Sequence, residues 1–305
     1  MKNLICGAFG LVASIVISVC PGNAQVPAQT VFATPDEAAT VLKQALKTQD
    51  MEKLLQIFGA DAAKELSSGD PALDRHDREV ISLAMEQSWR WVPRGAKNKE
   101  LVIGDEAWPF PIPLTKKGAG WQFDTQAGKE EVLARRIGVN ELAIIDLCRA
   151  YPGFQQEYAS KSHDGKPAGL YAQVIRSAAG QQNGLYWDPK PGEPLSPLGD
   201  LVATAAADGY VAGPATSPFF GYHFRILTAQ GKSAPGGARN YIADGDMSQG
   251  FALIAYPARY GYSGVMTFIV NQDGIVFEKD LGPDTAKVAA GITVFDPDRT
   301  WAKAH

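Results

Sequence analysis

The chain has 305 residues, of which 45% are apolar and 20% charged, with a formal net charge of −4. This is the balance of a globular protein long enough for two domains of ordinary size, and it excludes disordered and fibrous classes. A net negative charge supplies no long-range attraction for nucleic acid or anionic lipid, so neither is an expected partner.

The chain opens with "MKNLICGAFGLVASIVISVCPGNAQVPA": one lysine, an apolar run from Leu4 to Cys20, the helix breakers Pro21 and Gly22, then Ala24. That order describes a secretory signal peptide over residues 1–24, cleaved after Ala24. Export to the periplasm or the outside of the cell is therefore expected. A lipid anchor at Cys20 is the alternative, with Val19 standing where a lipidation signal wants a small residue. Beyond Ala24 no apolar run is long enough to span a bilayer, so no membrane span is expected once the signal is gone. Cys148 is then the one cysteine left, which rules out an internal disulfide; its apolar helical setting "ELAIIDLCRAY" reads as a buried, inert thiol.

The mature chain starts with helices. Thr34, Pro35 and Glu37 have the pattern of a capped helix start, and Val41, Leu42, Ala45 and Leu46 continue one apolar face. A second helix is capped by Asp50, carries Leu54, Leu55, Ile57 and Phe58, and stops at Gly59. "DREVISLAMEQSWRWVPR" is a third helix, running into a strand. "NKELVIGDEAWPFPIPLTKKGAGWQFDT" then reads as strands punctuated by glycine and proline. Helices followed by a curled antiparallel sheet make an α+β unit over residues 25–138. Trp91, Trp108 and Trp121 crowd into it with Asp105 and Asp124. A cone-like sheet could use those rings to line a ligand pocket, and a carboxylate inside it could act as a base; core packing and solvated turns are the plainer uses. Glu130 and Glu131 are expected to face water and to pair with Arg135 or Arg136.

"GKEEVLARRIGVNELAIIDLCRAYPGFQQEYAS" is a long helical stretch, with a soft break expected at Gly138 and a firm one at Pro152. Gly-, Pro- and Ser-rich loops follow, including "SKSHDGK", where His163 and Asp164 read as a solvated turn. "SPLGDLVATAAADG" is expected to be a helix capped by Ser196. From Tyr222 onward "YHFRILTAQ", "GFALIAYPA", "GVMTFIVN" and "GIVFEKDLG" form an antiparallel meander closed by a helix over "DTAKVAAGI". In "FIVNQDGIVFEKDLG" the acidic kink lacks the first carboxylate of a calcium loop, since Ile269 stands there. Asp273-Gly274 is instead the turn of a hairpin. In the same half, "FFGYHFR" and "YPARYGY" set aromatic rings beside Arg225 and Arg259, an arrangement that suits strand pairing, a sugar or a partner surface.

Several phrases carry a resemblance: "WPFPIPLTKKGAGWQFDTQAGKEEVLARRIGVNEL", "GLYW", "SPLGDL", "YHFRILTAQG", "GFALIAYPARYG" and "GVMTFIVNQDGIVFEKDLGPDT". Together they resemble a family of exported bacterial proteins known as domain of unknown function 2950, over nearly the whole mature chain. That resemblance implies no known activity. In layout, Pro35 to Ala134 is similar to the cone-shaped fold of nuclear transport factor and the polyketide-cyclase-like proteins. The half from residue 139 resembles the globular part of type IV pilins and pseudopilins: a helix, then an antiparallel meander. The pilin's apolar leader helix has no counterpart before this half, so pilus assembly is not implied.

The four histidines are not at metal-ligand spacing, and there is no CxxC, HExxH, G-x-S-x-G or Gly-rich phosphate loop. No cofactor and no metal is expected. The expectation is thus a two-domain α+β protein of the bacterial envelope, a non-enzymatic binding or accessory module whose partner is an envelope protein or a small apolar ligand. Two alternatives stand beside it: a hydrolase or isomerase using a carboxylate in the first domain, and a structural component of a pilus-like or secretion assembly.

Overall fold

In the computed structural model the described residues are 28–188, 192, 194–207 and 217–304. The expected signal peptide, residues 1–24, and with it Cys20, lies outside them. The chain is α+β and divides into two compact units between Val139 and Asn140.

The first unit opens with four helices: α1 (Pro35–Lys47), α2 (Met51–Phe58), α3 (Ala62–Leu66) and α4 (Pro71–Gln87). Side chains cap α1, α2 and α4; α3 was not expected and has no side-chain cap, and α4 begins at Pro71, ahead of the expected "DREVISLAMEQ". The Thr34 hydroxyl accepts the Glu37 N–H at 3.1 Å, Asp50 accepts that of Lys53 at 2.9 Å, and Asp70 accepts those of Ala72 and Leu73. Gly59, at φ +92, ends α2. The sheet comprises β1 (Trp89–Arg94), β2 (Asn98–Ile103), β3 (Trp108–Pro109), β4 (Leu114–Lys117) and β5 (Gly120–Phe123). β1 pairs one edge of β2, from Trp89 opposite Ile103 to Arg94 opposite Asn98. β3 and β4 share the other edge, β4 at its start and β3 at its end, and β5 follows β4. Leu42, Leu54, Ile57, Ile81, Met85 and Leu101 are wholly buried between helices and sheet. The rings of Phe58, Phe110 and Phe123 meet among them at 5.3–6.3 Å.

The division falls inside α5 (Thr125–Ala159), which is continuous. The break expected at Pro152 does not occur. Proline there removes one helix hydrogen bond, at a cost of about 3 kcal/mol. Tertiary bonds on either side hold the two turns in line: the Tyr151 hydroxyl donates to the Ala252 carbonyl at 3.1 Å, and Gln155 bonds both the N–H and the C=O of Ala172.

In the second unit, β6 (Val174–Arg176) pairs in parallel with β7 (Gly184–Tyr186), ahead of the region expected to form the meander. α6 (Gly199–Ala207) starts later than predicted, because the Ser196 carbonyl accepts the Gly199 N–H in a turn of its own. Then come β8 (Tyr222–Leu227) and four short strands, β9 (Ala229–Gln230), β10 (Arg239–Asn240), β11 (Ile242–Ala243) and β12 (Asp246–Met247). β13 (Ala252–Pro257), β14 (Met266–Asn271), β15 (Phe277–Asp280), α7 (Thr285–Gly291) and β16 (Ala302–Lys303) complete the unit. The main sheet has the order β16-β15-β14-β13-β8 and is antiparallel throughout, as the predicted meander requires. Central β13 is a run of buried apolar residues, as a strand covered on both faces should be. The β14–β15 connection is a hairpin: the Gly274 N–H donates to the Asn271 carbonyl at 3.0 Å, with Gly274 at φ +72. Asp273 is occupied by the amide and carbonyl of the Asn271 side chain. Among the described residues no group of three or more His, Cys, Asp or Glu is placed to hold a metal ion, and no helix is long and apolar enough to cross a membrane.

Candidate functional site

The five residues singled out in the first unit are placed as follows. Trp108 is buried against Phe110, and the Arg135 guanidinium lies 5.0 Å from its ring centroid. Arg135 also pairs with Glu131 at 2.6 Å, so one arginine joins the predicted surface pair to the core ring. Trp91 is half-buried, tilted over Phe123 at 6.4 Å, and its indole N–H has no hydrogen-bond partner. Trp121 is half-buried with the Lys99 ammonium 5.7 Å from its ring. Asp105 is exposed in the turn between β2 and β3. Asp124 caps α5 by accepting the Ala127 N–H at 3.0 Å. It also lines a polar depression of about 330 Å³ with Gln29, Asp61, Lys117 and Gln122, a wall that includes none of the three tryptophans. Of the five residues, Asp124 is the one that lines this depression.

A different pocket is built in the second unit, from residues that sequence reasoning did not select. α5 contributes Leu147, Tyr151 and Phe154, spaced i, i+4 and i+7 and so aligned on one face. Ile175 of β6 and Leu185 of β7 form a second wall. Leu198, Leu201 and Val202, at and within the first turns of α6, form a third. Phe224 of β8 and Leu253 of β13 supply the sheet side. The cavity measures about 130 Å³ and is overwhelmingly apolar. Its charged residue is Arg176, which bonds Asp188 at 2.8 Å and stacks on Tyr186 at 4.9 Å. The i, i+4, i+7 stripe was readable in the sequence; the expected break at Pro152 hid it, because it separates Phe154 from Leu147 and Tyr151.

The polar atoms around this pocket are held in place. Burial raises the Tyr151 phenol far above its ordinary pKa, so it stays a hydroxyl, donating to Ala252 and accepting from Gln155. Cys148, one residue beyond Leu147, is fully buried with its thiol pushed up to about 12 by burial, which makes it unreactive at neutral pH. The arrangement suits an apolar body held against apolar walls, with the Ser217 side chain among the lining.

Two further expectations are settled by placement. His163 and Asp164 do form a turn, but His163 is buried, not solvated: its ring stacks on Tyr158 at 4.1 Å. Tyr158 and Trp187 supply apolar surroundings that the local phrase "SKSHDGK" does not contain. Arg225 donates to the Ala289 and Ile292 carbonyls at the end of α7, whereas the Arg259 guanidinium lies 3.5 Å from the Tyr262 ring centroid. In these two cases the aromatic-arginine phrases serve the unit's own packing.

The family model described as "Protein of unknown function (DUF2950)" matches residues 29–304. No curated protein matches the chain, and no solved structure does.

Proposed function

The chain belongs to the DUF2950 family, and we propose that it is an exported, non-enzymatic accessory protein of the bacterial envelope that binds a small apolar ligand in its second unit. The observation that carries this reading is the apolar pocket between α5, α6 and the β6–β7 pair, beside which Tyr151, Gln155 and Arg176 are bonded within the fold. A pocket of that composition takes its affinity from apolar burial, at about 25 cal/mol per Å² removed from water. Export is supported by the signal-like order of residues 1–24.

The test is binding of a small apolar fluorophore, 1,8-anilinonaphthalenesulfonate, to the chain from residue 25 to 305. Val202→Trp fills the pocket without opening the core. Saturable binding at one site, lost in Val202→Trp with the fold retained, is the expected result. Binding that is absent from the native chain, or unchanged in Val202→Trp, contradicts the proposal.

A further inference from the structure

The apolar pocket of the second unit carries one charge. Arg176 is the charged residue of its lining, and its guanidinium is fixed from two directions. One amino group donates to the Asp188 carboxylate at 2.8 Å, and Cζ lies 4.9 Å from the centroid of the Tyr186 ring. Arg176 and Tyr186 are register partners in the parallel β6–β7 pair, and both belong to the pocket wall. A guanidinium stacked on a ring of that wall stands at the rim of the apolar space. Asp188, by contrast, is not part of the lining, and its side chain is 77% exposed.

Arg176 has hydrogen-bonding capacity to spare. A guanidinium presents a planar fork of N–H donors, and among the described residues Asp188 is the hydrogen-bond partner of this one. An ion pair so open to water is weak, so it does not close the site to a second carboxylate. Burial, and then the neighbouring Asp188, raise the Tyr186 phenol above its ordinary pKa. It stays a neutral hydroxyl and sets no negative charge against an incoming anion. The sign of the ligand follows. An ammonium would meet Arg176 as a like charge, and a wholly apolar body would take water from the guanidinium and return no bond. A carboxylate accepts two parallel bonds from the fork.

Volume sets the size of the apolar part. At about 130 Å³ the cavity is close to the roughly 150 Å³ of an apolar cavity that stays dry and accepts benzene. Its occupant is therefore a single ring or a chain of about six carbons. We propose that the pocket binds a small carboxylic acid in its ionised form, the ring or chain in the apolar cavity and the carboxylate accepting from Arg176 at the rim. This rests on the reading of that pocket as a ligand site, and it names the class of ligand.

The experiment is calorimetric titration of the chain, residues 25 to 305, at pH 7 in dilute buffer, with two matched pairs: phenylacetate against 2-phenylethanol, and hexanoate against 1-hexanol. The expected result is that in at least one pair the acid binds at least tenfold tighter than its alcohol, and that Val202→Trp loses both. Arg176→Met, which keeps the stem but not the charge, then removes the preference and leaves the alcohol unchanged. Should Arg176→Met fail to fold, Asp188→Ala alters an exposed side chain and frees the guanidinium; it tightens the acid severalfold and leaves the alcohol unchanged. An alcohol that binds as tightly as its acid and is lost in Val202→Trp overturns this inference while the pocket stands. A preference that survives Arg176→Met, or is unmoved by Asp188→Ala, also overturns it. Binding of neither member of either pair, or binding of both that survives Val202→Trp, overturns the ligand site and this inference with it.

Discussion

The Glu141 carboxylate accepts the backbone N–H of Val265 through Oε1 at 2.8 Å, across 124 residues of sequence, and the same oxygen accepts that of Met266 at 2.8 Å. One residue earlier, the Asn140 amide donates to the Ser263 carbonyl at 2.8 Å. Two neighbouring helix residues thus fix the entry into β14, and with it the register of the sheet.

Replacing Glu141 by alanine leaves two backbone donors without an acceptor, and charge-assisted bonds of this kind are the stronger ones. The expected loss is about 2–4 kcal/mol, read as a lower urea midpoint with unchanged slope. Glu141→Gln retains a carbonyl oxygen and loses less than half of that.

Gly138 lies within α5, and a Cβ there would meet nothing within 4 Å. Gly138→Ala should raise stability by about 0.5–1 kcal/mol through helix propensity. Gly264 is the opposite case: a Cβ would come within 2.0 Å of the buried Tyr222 hydroxyl, which is itself bonded to the Met266 carbonyl. Gly264→Ala should cost about 3 kcal/mol or more, since Tyr222 has no room to move. Thermal melts of the two variants check both signs.

Burial holds the Cys148 thiol at about 12 against an ordinary 9.0, so the folded state resists ionisation. The raised value means that its contribution is fully present below pH 9 and is lost as pH rises towards 12. At pH 10, one unit above the ordinary value, the penalty is about 1.4 kcal/mol. Cys148→Ala should therefore lose stability at pH 7 from the small cavity it leaves, yet show a shallower decline between pH 8 and 10. An equal decline in both proteins would contradict the assigned cause.

Trp108 was a candidate ligand contact, and its placement in the core leads to a different expectation. Trp108→Ala removes a ring packed on Phe110 and Arg135 and should destabilise by about 3–5 kcal/mol. Binding of the apolar fluorophore, per folded molecule, should stay unchanged.

Much of the architecture was legible in the sequence because it rests on local chemistry. Thr34 and Asp50 begin helices by accepting N–H groups three residues on, and Gly274 turns a hairpin within four residues. What the sequence did not convey depends on distant partners. Pro152 continues a helix because Tyr151 and Gln155 are bonded to Ala252 and Ala172. His163 is buried because Tyr158 and Trp187 close on it. The apolar pocket is assembled from α5, β6, β7, α6, β8 and β13, no one of which signals a site by itself. Tryptophan content pointed to the first unit, but a large ring marks a core as readily as a pocket.

The most direct test of the central claim is to recover the chain from residue 25 to 305, and its Val202→Trp variant, from an envelope extract of the source cells and weigh both by native mass spectrometry. A small apolar molecule carried by the native chain and absent from the variant is the predicted result. Recovery of the same envelope proteins by both chains, with no small molecule on either, would contradict it.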